Sequence, residues 1–183
     1  MPKDGFLVRP LCLMYPRDRI AYRAIVDAMA PAMDAALPDS VFSYRLKDAK
    51  RRLTKQVSAW RRFQDAGRRL YTQYHYAYLL STDVASYFEY VDTDILCDDL
   101  RALADVDELQ IQSLKRFLMR LTENTSFWGL PQGHDASAFL GNFYLLPLDQ
   151  VLRHHDVHAI RYQDDIKVFA NNPTTLRIAP PRN

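Results

Sequence analysis

Three aspartates carry the chemistry this sequence could perform. Asp83 closes the run Tyr78-Leu79-Leu80-Ser81-Thr82, and Asp164 and Asp165 stand side by side in Arg161-Tyr162-Gln163-Asp164-Asp165-Ile166. If the pair sits at the tip of a hairpin beside the strand that ends at Asp83, the carboxylates converge at one edge of a sheet. Two like charges ~4 Å apart repel by roughly 4 kcal/mol at an effective dielectric of ~20. Divalent cations remove that cost. Mg²⁺ accepts one or two carboxylates and keeps positions for phosphate oxygens and water, and two such ions suit an in-line displacement at phosphorus. An Asp-Asp pair standing alone is more often a solvated turn, so its surroundings decide.

The elements that must position these groups can be read from periodicity. Ile20, Ala24, Ile25, Ala28, Met29 and Met33 predict a helix over 17–37 that Pro31 should kink or end early. Leu46, Leu53, Val57, Trp60 and Phe63 form an apolar stripe that predicts a long helix over 46–70, with Gly67 as its stop. Aromatics at 74–81 predict a strand. Helices are expected over 92–103 and 107–121, a turn at Gly129-Leu130-Pro131-Gln132-Gly133, and a helix over 134–155 bent at Pro147. Val157–Gln163 and Ile166–Ala170 read as strands flanking Asp164-Asp165. The expected fold class is α/β of the α+β kind, with an antiparallel sheet flanked by helices.

Charge is distributed unevenly. Ten basic residues lie between Arg45 and Arg69, among them Arg51, Arg52, Arg61 and Arg62, whereas nine acids between Asp83 and Glu108 face only Arg101. Such a pairing suits a protein that binds a polyanion with one part and metal ions with another; charge alone favours the plainer reading of two solvated helix faces of opposite sign. Two cysteines, Cys12 and Cys97, make no disulfide framework and no zinc spacing. No run of ~18 uncharged apolar residues occurs, so no membrane partner is expected. The absence of a signal-like N-terminus and the low cysteine use point to a cytoplasmic location.

Ser81-Thr82-Asp83-Val84-Ala85-Ser86-Tyr87-Phe88-Glu89 resembles motif A of reverse transcriptases. Gly129-Leu130-Pro131-Gln132-Gly133, followed by Ser137, Leu140 and Asn142, resembles their motif B, and the Tyr-Gln-Asp-Asp segment resembles motif C. The three stand in the family's order. The resemblance implies fingers and a palm, with a helical fingers-like region over 1–72, a partial palm over 73–170 and an irregular tail over 171–183. It implies an RNA-directed DNA polymerase that adds dNTPs to a 3′-hydroxyl with two Mg²⁺ ions, Mn²⁺ being able to substitute. Asp83, Asp164 and Asp165 match the catalytic carboxylates, and Val84 matches the position whose carbonyl joins the metal shell. Phe88 matches the steric gate under the sugar, Gln132 and Gly133 match the nucleotide-binding loop, and Tyr162 would lie near the primer terminus. Arg45 is a candidate triphosphate contact, while Arg51, Arg52, Arg61 and Arg62 are candidates for nucleic-acid phosphates. The implied partners are an RNA template, a DNA or RNA primer and dNTPs.

His134-Asp135-Ala136-Ser137-Ala138, where intron and retron enzymes usually carry small residues and Ser-Pro, is more like the bacterial abortive-infection and defence-associated branch, called the unknown group. That implies antiphage defence; a retron or group II intron origin is the alternative. Only 18 residues follow Asp165, too few to finish a palm and build a thumb. The expectation is a C-terminally truncated fragment, weak or inactive alone unless a separate chain supplies the thumb. The other alternative is a catalytically inactive nucleic-acid-binding remnant. A viral-type RNA-directed RNA polymerase is disfavoured by Phe88 and by Pro131-Gln132-Gly133.

Overall fold

The computed structural model of the protein describes residues 11–47, 52–123 and 129–176. Arg51 and the end of the expected tail, 177–183, lie outside the described residues. Along the chain run α1 (Pro16–Ala36), α2 (Gln56–Gln73), β1 (Tyr78–Thr82), a 3₁₀ turn (Tyr87–Tyr90), α3 (Thr93–Leu103), α4 (Glu108–Thr122), α5 (Asp135–Tyr144), α6 (Leu146–His154), β2 (His158–Tyr162), β3 (Asp165–Ala170) and a 3₁₀ turn (Pro173–Leu176). The class is α+β. Two compact units divide the chain: Met1–Met33 with Ser86–Gly141, and Asp34–Ala85 with Asn142–Asn183. The boundary expected near residue 72 falls inside the second.

The first unit is helical. α1 buries Tyr22, Val26, Met29, Ala30 and Met33, the spacing of one helix face. Pro31 does not end the helix, which continues to Ala36. Pro31 lies on the exposed side, where its missing amide costs least, because water can serve the carbonyl left over one turn earlier. Asp92 and Asp107 begin α3 and α4 as N-caps: the Asp92 carboxylate accepts from the amides of Asp94 and Ile95 at 2.8 and 3.1 Å, and Asp107 accepts from Leu109 at 2.7 Å. The acidic run is thus largely occupied in structure. Asp98 and Glu108 also hold Arg101, and Asp94 holds Lys115. Leu96, Cys97 and Leu100 of α3 and Ile111, Leu114 and Leu118 of α4 are fully out of solvent, each worth roughly 1.5–3 kcal/mol of apolar burial for the larger side chains. Phe117 stacks on Tyr22 at 5.2 Å with the rings nearly parallel.

The second unit is a three-stranded antiparallel sheet of order β1-β3-β2, with α2 on one face and α6 on the other. Alternation along the strands sorts the two faces. Ile160 and Phe169 meet Phe63 and Ala66 of α2, whereas Ile166 and Val168 meet Leu152 of α6 and Val157. All five residues of the edge strand β1 are exposed.

Several expectations change here. The helix expected from Leu46 starts only at Gln56, because Leu46 and Leu53 pair across an isolated antiparallel bridge. Around that bridge Lys47 donates its amide to Arg52 and Thr54 to Arg45. Gly67 does not stop α2; it is buried within the helix, and the chain stays helical to Gln73. Val57 and Trp60, assigned to the apolar stripe, are 67% and 40% exposed. Residues 74–77 precede β1 rather than belonging to it, since the turn at His75 (φ +51) intervenes. The expected single helix over 134–155 is two, divided at Leu145, because Pro147 falls in the first turn of α6, where its missing donor is harmless.

Candidate active site

The hairpin β2–β3 is closed by two residues, Gln163 and Asp164, between the paired Tyr162 and Asp165. Gln163 adopts φ +57, the left-handed conformation that tight hairpin turns demand. The β1–β3 ladder ends at Thr82–Ile166. Continuing that register by one residue sets Asp83 level with Asp165, so Tyr162, Asp165 and Asp83 follow one another across the three strands, with Asp164 at the turn. Asp83 and Asp165 are exposed, and Asp164 and Val84 are half-buried. Tyr162 donates its hydroxyl to Gln56 Oε1 at 3.0 Å and meets the edge of Trp60 at 5.0 Å. Burial raises the Tyr162 phenol above its ordinary range, and the charge of Asp165 adds to the effect. Burial also lowers the Lys167 ammonium against the opposing pull of Asp165. That ammonium lies 4.7 Å over the Phe63 ring and donates to Gln64 Oε1 at 2.6 Å.

A buried polar network stands directly behind the turn. Arg161, 2% exposed, donates from Nε and Nη2 to the Asp149 carboxylate, with the shortest bond at 2.6 Å. Its remaining donors reach Asn142 Oδ1 (3.0 Å), Asn142 O (2.6 Å) and Gln163 O (3.4 Å). Ser43 Oγ donates to Asn142 Oδ1 at 2.9 Å and accepts the Gln163 amide at 2.8 Å. No feature of the sequence singles out this network. Asp149 and Arg161 are 12 residues apart and Ser43 and Asn142 are 99 apart; Asn142 and Arg161 belong to the motif B and motif C segments, but neither had been assigned a role.

The first unit carries the motif B loop and the aromatic assigned as a gate. Leu130 donates its amide to the carbonyl of Phe88 at 2.8 Å. Phe88 is half-buried; its ring lies beside Tyr87, and Tyr87 donates its hydroxyl to Gly141 O at 2.5 Å. Gly133 has φ +98, a conformation that favours glycine. Gln132 Oε1 is buried and, among the described residues, meets no hydrogen-bond donor.

The basic residues serve different ends. Arg45 is engaged locally: Nε pairs with Asp34 at 2.8 Å, and its other nitrogens donate to the carbonyls of Asp34, Leu37, Pro38 and Val41, closing the end of α1. Arg61 and Arg62 are exposed on α2, and Arg52 is exposed ahead of it.

Among the described residues, no group of three His, Cys, Asp or Glu side chains is gathered closely enough to hold a metal ion. The donors at the strand ends are nonetheless hard carboxylate oxygens, the type Mg²⁺ takes one or two at a time while substrate phosphates and water complete its shell. The chain's residues fit that ion in chemistry.

With these features in place, comparison with known proteins defines the class. The family model for reverse transcriptase (RNA-dependent DNA polymerase) matches residues 1–180, and the chain belongs to that family. No curated protein matches it closely enough to count as a relative. Family membership implies RNA-directed nucleotidyl transfer, nucleic-acid template and primer with dNTP substrates, and general use of Mg²⁺. No helix among the described residues is long and apolar enough to cross a membrane.

Proposed function

We propose that the chain adds deoxynucleotides to a primer 3′-hydroxyl on an RNA template, with Asp83, Asp164 and Asp165 as the carboxylates of a two-metal site. The observation that carries this reading is the strand register, which brings the end of β1 level with the start of β3 beside the Gln163–Asp164 turn. Two Mg²⁺ ions held there by Asp83, Asp164, Asp165 and the Val84 carbonyl would supply Lewis-acid stabilisation of the attacking and leaving oxygens. Mn²⁺ can take their place.

The chain's own groups do the positioning. Tyr162, braced by Gln56 and Trp60, offers a rigid ring next to the carboxylates for the primer terminus. The motif resemblance supports Phe88 as the gate against a 2′-hydroxyl and Gln132 as a contact of the incoming nucleotide. Arg61 and Arg62, with Arg52, supply the cations for template phosphates. Arg45 could contact a triphosphate only by giving up its bonds at the end of α1, so its local role is the better supported one. The fingers-and-palm naming and a place in antiphage defence rest on the motif resemblance, the latter on His134-Asp135-Ala136-Ser137-Ala138.

Primer extension by the full chain on an RNA template, with Mg²⁺, Mn²⁺ or neither, tests the reading. Incorporation that depends on the ion and stops with chelator is expected. RNA binding indifferent to metal, without incorporation under any condition, would point instead to a non-catalytic nucleic-acid-binding protein.

A further inference from the structure

We infer that Ser43, Asn142, Asp149 and Arg161 form a positioning network that fixes the Gln163–Asp164 turn and thereby the metal-facing geometry of Asp164 and Asp165. The inference rests on the two-metal reading above. Every N–H direction of the Arg161 guanidinium is used: two donors go to Asp149, two to Asn142 and one to the carbonyl of Gln163. The carboxylate that neutralises it is 8% exposed. A buried ion pair is a weak source of stability, because desolvation offsets its attraction, but it tolerates few geometries. Its value here is directional. The Asn142 side chain joins the pair to Ser43, receiving from Ser43 Oγ and donating to Ser43 O at 2.5 Å. Ser43 Oγ then takes the amide of Gln163, whose carbonyl Arg161 already holds. Both backbone polar groups of the first turn residue are therefore fixed by buried side chains rather than by water.

The segment that carries Ser43 is itself tied to β2. Arg161 donates its amide to Ser40 O at 2.9 Å and accepts from the Phe42 amide at 3.0 Å, beside the parallel bridge between Val41 and Arg161. The result is a closed loop of bonds through residues 40–43, 142, 149 and 161–163. The left-handed conformation of Gln163 is not one its side chain favours, so it needs such a frame. All four network side chains are buried; they act through the turn.

Ser43→Ala removes the acceptor of the Gln163 amide with little change in volume, and Arg161→Lys keeps the charge while losing the fork. Two measurements on folded full-length variants decide the matter: amide hydrogen exchange at Gln163, and Mn²⁺ affinity by electron paramagnetic resonance. In Ser43→Ala, Gln163 exchange should accelerate roughly tenfold or more while Val168 and Phe169 stay protected. Mn²⁺ affinity should fall roughly tenfold, the scale on which partners behind a metal ligand are felt. Ser43→Thr, which keeps the hydroxyl, should restore both. Unchanged Gln163 exchange overturns the network, and faster exchange with unchanged Mn²⁺ affinity overturns its positioning role. A parent chain that binds no Mn²⁺ at all overturns the two-metal reading itself. Arg161→Lys serves as the second variant if Ser43→Ala does not fold.

Discussion

The amide of Leu130 donates to the carbonyl of Phe88 across 2.8 Å, binding the Gly129–Gly133 loop to the short turn that presents the aromatic ring. The approach is so close that only one residue type fits next door. A Cβ on Gly129 would stand 2.0 Å from the Phe88 carbonyl oxygen and 2.8 Å from the backbone of Glu89. Gly129→Ala must therefore displace backbone, and a loss of at least about 1–3 kcal/mol is expected, as for other overpacked sites. Urea denaturation of the variant checks it through a lowered midpoint.

The proposed sugar gate, Phe88, stands on the same turn. Phe88→Ala should raise ribonucleotide incorporation relative to deoxynucleotide by roughly ten- to two-hundredfold, the range that one group in a pocket commands. Competition between rNTP and dNTP in single-nucleotide extension reads the ratio. An unchanged ratio would remove Phe88 from the role of gate.

Loss of one negative charge at the strand ends should abolish the reaction while leaving the fold intact. Asp83→Asn and Asp164→Asn should each cost roughly 10³-fold or more in Mg²⁺-dependent incorporation, because on the two-metal proposal the charge that would hold the ion is gone. Asp83 is exposed, so its melting temperature should hardly move, exposed substitutions usually falling within about 0.5 kcal/mol. Asp165→Asn should be milder. Activity assays paired with thermal melts separate the two effects.

Nucleic-acid affinity should depend on salt through α2. Arg61→Ala with Arg62→Ala should lower the log–log salt slope by up to about 0.9 per lost duplex phosphate contact, or about 0.7 for single strands, and weaken all sequences alike. Filter binding across a salt series measures this. Sequence-selective loss would mean base contacts instead.

Alkaline stability should depend on Tyr22. Burial raises its phenol pKa well above the ordinary value; the bond with Ser137 at 3.0 Å pulls it part of the way back, and Cys12 adds a further rise. The folded state therefore holds this proton more tightly than the unfolded chain. Its contribution is complete below the unfolded value of about 10 and is lost as pH rises toward the folded one. Tyr22→Phe should flatten the fall in stability above about pH 10, seen in denaturation midpoints from pH 8 to 12, at the cost of the Ser137 bond.

Local signals wrote much of this structure openly. Asp92 and Asp107 mark the starts of α3 and α4 because a capping carboxylate acts within three residues of itself. The β2–β3 hairpin was legible from its apolar flanks, but its tip is Gln163-Asp164 rather than the expected Asp164-Asp165, because Asp165 pairs with Tyr162 as the first residue of β3. Leu46 and Leu53 misled for a physical reason: seven residues is two helical turns, but it is also the span of a closed loop whose ends pair. Periodicity cannot tell these apart. Arg45 read as a candidate triphosphate contact since nothing nearby in sequence foretells Asp34, eleven residues back. The network behind the turn was hidden for the same reason on a larger scale, its members being joined only by the fold. The carboxylates were singled out by their types and order, and the expected pairing of the Asp83 strand with the hairpin is present as the β1–β3 ladder.

That register has a consequence for how the gene can change. Strand faces alternate with every residue, so one residue inserted or deleted between Tyr78 and Asp83 turns Asp83 to the opposite face of the sheet or draws it back along the ladder. Because all five β1 side chains are exposed, such an indel would leave the helices on both faces of the sheet packed and the chain folded. On the two-metal proposal, a single-codon length change there would therefore silence the reaction in a protein that still folds, whereas a point substitution that keeps the strand pairing would not.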